Sequence, residues 1–259
     1  MIATACLLAG TVGFTASHAA HLTFEAIGVP VKETGVLGWC VGPDAAGRNN
    51  TVYISHNQND AALFLVALNA ETGDATQYAS PIHEPGAWAC CLAADGRIYL
   101  GAIGSSGPSQ VLRFDPRTET FVSLGTPSRT ERYLWTFSPT SDGMIYAGTH
   151  GNAKLVAINT KTDELTDLGR LSDADQYTRY TWYGESDRTV YTAVYFTDQH
   201  IVAYLRDTGE KMRVHFPGRG RPGVPVPGSS SSDPVPTDAS TAAAPCLCAC
   251  SNTTPRQVG

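Results

Sequence analysis

The sequence predicts an all-β chain built from a fourfold repeat, and three spacings carry that prediction. The tryptophans Trp39, Trp88, Trp135 and Trp182 stand 49, 47 and 47 residues apart. The tyrosines Tyr53, Tyr99, Tyr146 and Tyr191 follow at 46, 47 and 45, and the threonines Thr72, Thr118, Thr162 and Thr208 at 46, 44 and 46. Three residue types holding register over four units mark a repeat architecture.

The unit is plainest in YLWTFSPTSDGMIYAGTHGNAKLVAINTKTDELTDLG, Tyr133 to Gly169. Tyr133 to Ser138 is apolar and aromatic, and Ser141-Asp142-Gly143 is turn chemistry. Met144 to Thr149 alternates around Tyr146, Lys154 to Ile158 is a third apolar run, and Glu164 to Leu168 closes the unit after a second tight turn. Nothing in it has helical period. A four-stranded unit of about 40–50 residues is a β-propeller blade, stacked radially against its neighbours. At a fixed place in every blade, the tryptophans and tyrosines are expected to fill the wedges between blades.

Taken in order, residues 1–20, MIATACLLAGTVGFTASHAA, read as a secretory signal: a short apolar stretch of small residues with a small-residue cleavage pattern, lacking a basic start. Residues 21–216 read as propeller. Leu22 to Ala26 is a strand expected to join a blade completed by the far end of the chain. Blade 1 spans about 38–80, blade 2 about 86–125, blade 3 about 133–169 and blade 4 about 180–216. From Pro217 to Gly259 the chain is rich in Pro, Ser, Ala and Gly with no strand pattern, and is expected to be a disordered tail. Its CLCAC run lacks metal-ligand spacing, so no metal and no cofactor are expected. Propellers of this blade size most often carry six to eight blades, so four blades of about 47 residues are expected to be an incomplete part of a seven-bladed ring. A truncated gene product and a closed four-bladed ring are the two ways to account for that number.

The formal charge of −6, with no basic run, argues against nucleic acid. Past the signal, no stretch is long and apolar enough to span a membrane. The sequons Asn49-Asn50-Thr51 and Asn252-Thr253-Thr254 fit a secreted, extracellular product, expected to be a monomer. Of the seven cysteines, Cys40, Cys90 and Cys91 fall in the repeats. Cys40 and Cys91 take corresponding faces, but neighbouring inner strands are expected to lie too far apart for a bridge, leaving buried thiols.

Function is expected on the face where the D-to-A and B-to-C connections meet around the channel. Residues alike in every blade are architecture; polar residues that break the pattern are candidates. Arg132-Tyr133 and Arg179-Tyr180 precede the tryptophans of blades 3 and 4, and His83-Glu84 those of blade 2. His56, Ile103, His150 and Tyr195 stand three or four residues past the repeat tyrosines. His, Arg and Tyr with few carboxylates suit β-elimination on a uronic acid: a cation neutralises the carboxylate, one group removes the adjacent proton, and another donates to the leaving oxygen. Glycoside hydrolysis wants two flanking carboxylates, and Glu84 has no evident companion. A lactonase propeller wants an acidic metal site instead.

The run LTFEAIGVPVK into GWCVGPD, with blades of the form DGMIYAGTHGNAKLVAINTKTDELTDLG, resembles the secreted seven-bladed propeller lyases that act on rhamnose linked to glucuronic acid in plant gums. The resemblance covers about residues 22–214. It implies a catalytic histidine at the channel mouth, for which His56 and His83 are the counterparts by loop position. The expected catalytic set is His56, His83, Tyr133 and Tyr180, and the expected substrate-binding set is Arg132, Arg179, His150 and Tyr195, with an acidic polysaccharide or oligosaccharide as partner. The alternatives are a non-catalytic propeller binding glycan or protein through the same face, and an inactive truncated product.

Overall fold

The computed structural model describes residues 35–58 and 62–214. The expected signal, the expected strand at Leu22 to Ala26, and the expected tail with its cysteines lie outside them. Within them are sixteen strands and no helix. Blade 1 is β1 (Gly35–Gly42), β2 (Thr51–Asn57), β3 (Phe64–Asn69) and β4 (Ala75–Ala79). Blade 2 is β5 (Ala87–Leu92), β6 (Ile98–Ala102), β7 (Val111–Asp115) and β8 (Thr120–Gly125). Blade 3 is β9 (Tyr133–Pro139), β10 (Met144–His150), β11 (Lys154–Asn159) and β12 (Glu164–Arg170). Blade 4 is β13 (Tyr177–Gly184), β14 (Thr189–Tyr195), β15 (His200–Leu205) and β16 (Lys211–Arg213).

Each blade is an antiparallel meander, and blades 3 and 4 are joined by one bridge, His150 to Tyr177. The inner strands β1, β5, β9 and β13 lie side by side in that order, making four consecutive blades of an incomplete propeller. No ladder among the described residues returns blade 4 to blade 1.

The wedges between blades are the core. Tyr53, Leu65, Leu100 and Phe114 fill the first, Tyr99, Val111, Leu134 and Phe137 the second, and Tyr146, Leu155, Tyr183 and Tyr204 the third. The tyrosine ruler therefore marks architecture, with Tyr53, Tyr99 and Tyr146 only 2%, 0% and 3% exposed.

The tryptophan ruler does not. Trp39 and Trp182 are 47% and 45% exposed, and Trp88 and Trp135 are half-buried. Pairing against the repeat tyrosines gives the reason. Tyr53, Tyr99, Tyr146 and Tyr191 face Cys40, Cys91, Ser138 and Trp182, so the tryptophans are not equivalent across blades. Trp39, one residue before Cys40, points to the outer flank of blade 1 by strand alternation. Trp182 stacks on Tyr191 at 5.7 Å on the outer flank of blade 4.

The threonine ruler marks a turn conformation. The residue after each threonine is left-handed: Gly73 (φ 78), Glu119 (φ 56), Asp163 (φ 61) and Gly209 (φ 74). Glycine takes that conformation without cost, and the two carboxylates that replace it each reach back one blade. Glu119 accepts from Tyr78 Oη at 2.7 Å, and Asp163 pairs with Arg113.

Candidate functional site

Every inner strand skips one residue in its pairing with the second strand. The skipped residues are Leu37, Trp88, Trp135 and Arg179. A bulge re-aims its side chain and leaves the ladder on either side intact. Trp88 and Trp135 thereby turn onto a cleft of about 410 Å³ at the channel mouth, which Tyr133, His150, Tyr177 and Asn57 also line. Tyr133 and Tyr177 open their inner strands, while Asn57 and His150 end second strands.

The wall is a continuous aromatic ladder. Trp88 meets Trp135 at 5.2 Å, Trp135 stacks on Tyr133 at 5.2 Å, and His150 stacks on Tyr177 at 4.1 Å. Tyr133 and His150 are 5.2 Å apart. At one end the Arg179 guanidinium sits 5.2 Å over the Trp135 ring and 5.7 Å over Tyr180.

Three carboxylates, of which the sequence singled out only Glu84, brace the loops of this rim. Glu84, Glu131 and Asp175, 47 and 44 residues apart, all lie buried just ahead of an inner strand. Each braces the B-to-C loop of its own blade. Glu84 accepts from Ser105 N at 2.7 Å and Ser105 Oγ at 2.6 Å. Glu131 accepts from Thr149 Oγ1 at 2.6 Å, Asn152 N at 3.0 Å, Asn152 Nδ2 at 2.8 Å and Thr130 Oγ1 at 2.9 Å. Asp175 accepts from Thr197 N at 2.6 Å and Asp198 N at 3.0 Å. Burial would raise the carboxyls of Glu131 and Asp175, but the donors outweigh it and hold both below the usual range, so they are ionised.

The Glu131 brace fixes the loop that follows His150. The His150 imidazole is half-buried, and its Nδ1 has no hydrogen-bond partner. Burial lowers its pKa, partly opposed by the Glu131 charge, so the ring is neutral at neutral pH. Trp135 Nε1 is a second buried polar atom without a hydrogen-bond partner among the described residues.

The other expected site residues are placed as follows. His56 is 4% exposed and stacks on Phe64 at 5.5 Å. It pairs with Val36, one residue short of the last pair, Asn57 with Gly35, so it faces away from the mouth and Asn57 takes the rim place expected of His56. Burial lowers the His56 pKa. His83 is exposed on the D-to-A connection, outside the cleft lining. The two Arg-Tyr pairs are not equivalent: Tyr133 matches Tyr177, whereas Arg179 matches Trp135. Arg132 is exposed, its guanidinium donating to Ser105 O at 3.3 Å. Tyr180 is 64% exposed beside Arg179, and Tyr195 meets Tyr177 edge-on at 6.5 Å. Neither guanidinium forms an ion pair with the described residues. No group of three His, Cys, Asp or Glu among those residues could hold a metal ion.

No family model matches the sequence, and no curated relative matches it. Solved structures share its fold. One is a selenomethionine-substituted virginiamycin B lyase from Staphylococcus aureus, with a TM-score of 0.58 and 16% identity over 73% of this chain and 58% of that one. A streptogramin B lyase gives 0.58 and 15% over 73% and 57%. The WD40 repeats of RRP9 give 0.52 and 11% over 70% and 51%. The chain thus spans somewhat over half the length of these three structures. The fold is a propeller fold, and enzymes share it.

Proposed function

We propose that the channel mouth binds an acidic saccharide and that the reaction it serves is β-elimination at the uronate, at a rhamnose–glucuronate type of linkage. The observation that carries this reading is the combination of an aromatic ladder with a neutral histidine and an Arg179 guanidinium committed to no carboxylate. Sugar rings pack their C–H faces on aromatic walls, and a guanidinium meets a carboxylate in a bidentate fork. Buffered by their own loop donors, Glu84, Glu131 and Asp175 leave Arg132 and Arg179 available to an anion.

In this reading Arg179, which lies beside the cleft over Trp135 rather than in its lining, holds the uronate carboxylate and stabilises the charge that develops on it. His150 takes the proton from the adjacent carbon as the carbon–oxygen bond two atoms away breaks, and Tyr133 donates a proton to the leaving oxygen. The resemblance in sequence favoured His56 or His83 as the base; the burial of His56 and the position of His83 outside the lining favour His150. Residues 1–20 would direct the protein out of the cell, which N-terminal sequencing of the exported product tests.

The test is incubation of the full chain with a glucuronate-bearing gum polysaccharide while ultraviolet absorbance of unsaturated uronate is followed. The expected result is product formation that falls about 10²-fold in His150→Ala and Tyr133→Phe and is unchanged in His83→Ala. Saccharide binding that needs Trp135 and Arg179 but yields no unsaturated product would leave a glycan-binding propeller. Loss of product in His83→Ala with none in His150→Ala would overturn the assignment.

A further inference from the structure

The seam between blades 1 and 2 brings two sulfur atoms into contact. Cys40 Sγ on β1 lies 3.5 Å from Cys90 Sγ on β5, although inner strands of neighbouring blades were expected to stand too far apart. Gly38 is the reason for the close approach. A Cβ at that position would sit 2.7 Å from Trp88 O and 3.1 Å from Cys90 Cβ, so only a glycine lets the two strands close.

The two thiols are half-buried and face each other across the seam. Cys91, next in sequence, points the other way, into the wedge between blades 2 and 3. Burial pushes the Cys91 thiol well above its usual range, which keeps it protonated and a poor nucleophile. Of the cysteines among the described residues, Cys90 therefore has one partner with the geometry and access to react.

We propose that Cys40 and Cys90 are a redox-formed disulfide site that fastens blade 1 to blade 2 beneath the channel mouth, with a low-molecular-weight disulfide as oxidant. One thiolate attacks the small disulfide, giving a mixed disulfide and releasing one small thiolate. The second Cys thiolate then attacks the protein sulfur of that mixed disulfide and releases the other. Two Cys thiols are oxidised, one small disulfide is reduced to two thiols, and the two protons pass to the released thiolates. The sulfurs must close from contact to about 2.05 Å, which requires side-chain rotation within strands already held together at Gly38. The bond closes a loop with a sequence separation of 50 residues. Trp88, a wall of the cleft, is two residues from Cys90, so the bond ties that wall to blade 1.

The experiment incubates the folded full chain with oxidised or reduced glutathione as the probe, traps remaining thiols by alkylation, and maps peptides without reduction. The expected result is a Cys40 peptide joined to the Cys90 peptide in the oxidised sample, a mass smaller by two hydrogens, and a Tm about 5–15 °C above the reduced form. Cys91→Ala should keep the crosslink and the Tm rise, and Cys90→Ala should lose both while its far-ultraviolet circular dichroism stays that of the parent. Full alkylation of Cys40 after oxidation, or a link from Cys40 to any cysteine other than Cys90, would overturn the proposal.

Discussion

Removing the Glu131 carboxylate should cost about 3–4 kcal/mol of stability, and the structure says why the figure is neither larger nor smaller. Glu131 is 1% exposed and accepts four hydrogen bonds. A hydrogen bond to a charged group contributes about 1.5–3 kcal/mol, so a simple sum would exceed 6. Two of the four are recoverable in Glu131→Ala. Thr130 is exposed and its hydroxyl can turn to water, and the Asn152 side-chain amide is half-buried. Thr149 Oγ1 already lies 3.1 Å from Lys154 O, but that carbonyl also accepts from Thr178 Oγ1 at 2.7 Å, so its recovery is partial. The Asn152 N–H has no other acceptor in place. The sign of the pH dependence follows from the lowered carboxyl. Its stabilisation is fully present above the unfolded value of about 4.3 and is lost as pH falls through the lower folded value. Urea unfolding at neutral pH and again below pH 4 measures both. The exposed Glu164→Ala, which braces nothing, should stay within about 0.5 kcal/mol. A Glu131→Ala loss below about 1 kcal/mol at neutral pH, or one that does not shrink in acid, would refute the brace.

Three further outcomes follow. Tyr99→Ala should destabilise by about 3–5 kcal/mol because it empties a wedge, whereas Trp39→Ala, on an exposed flank, should cost under about 1; comparable losses in urea unfolding would restore the tryptophans to the core. Elimination should hold constant above the ordinary imidazole range and fall only as acid reaches the lowered His150 value, so an apparent pKa above about 6.5 in kcat/KM would exclude His150 as the base. In Glu131→Gln the NMR titration of His150 should move to still lower pH, since the opposing carboxylate charge is gone; an upward move would contradict the field assigned to it.

The fold was legible because tyrosines and threonines occupy places where backbone geometry recurs. Tyr53, Tyr99, Tyr146 and Tyr191 sit on second strands, which pair without interruption at those residues, so sequence spacing and spatial register coincide. The threonines mark left-handed turn residues, where the backbone restricts what can follow. The tryptophans misled because one skipped residue moves a side chain to a different direction, and a period near 47 hides a slip of one to three. Trp88 and Trp135 sit in the bulge, Trp39 lies beyond it and Trp182 further on still. The same slip paired Arg132-Tyr133 with Arg179-Tyr180, whereas His56 was given a rim place because it stands three residues past Tyr53; His150 stands four past Tyr146, and the residue four past Tyr53 is Asn57. The carboxylate braces escaped notice for another reason. Glu84 reads as an acid without a companion, because its companions, Glu131 and Asp175, stand at the same place in the next two blades rather than beside it in the chain.

Those three braces and the bulge separate the labour of the chain. The brace positions repeat a carboxylate because blades 2, 3 and 4 must each satisfy the amides of their own B-to-C loop, a demand that does not change from one of these blades to the next. The bulge positions read Leu37, Trp88, Trp135 and Arg179, four residues of which no blade-packing rule asks for the last three. Of these, Trp88 and Trp135 line the cleft, and Arg179 lies over Trp135. The passage from Leu to Trp to Arg along one strand position is therefore a gradient of chemistry on a constant frame, apolar toward blade 1 and cationic toward blade 4. A ligand laid along it would place a ring over Trp88 and Trp135 and an anionic group at Arg179. A polarity change at Arg179, such as Arg179→Trp, should then abolish discrimination between a uronate and its neutral sugar while leaving binding of the ring in place, measured by calorimetry with both sugars. Equal loss of both would mean that Arg179 supports the wall through Trp135 and reads no charge.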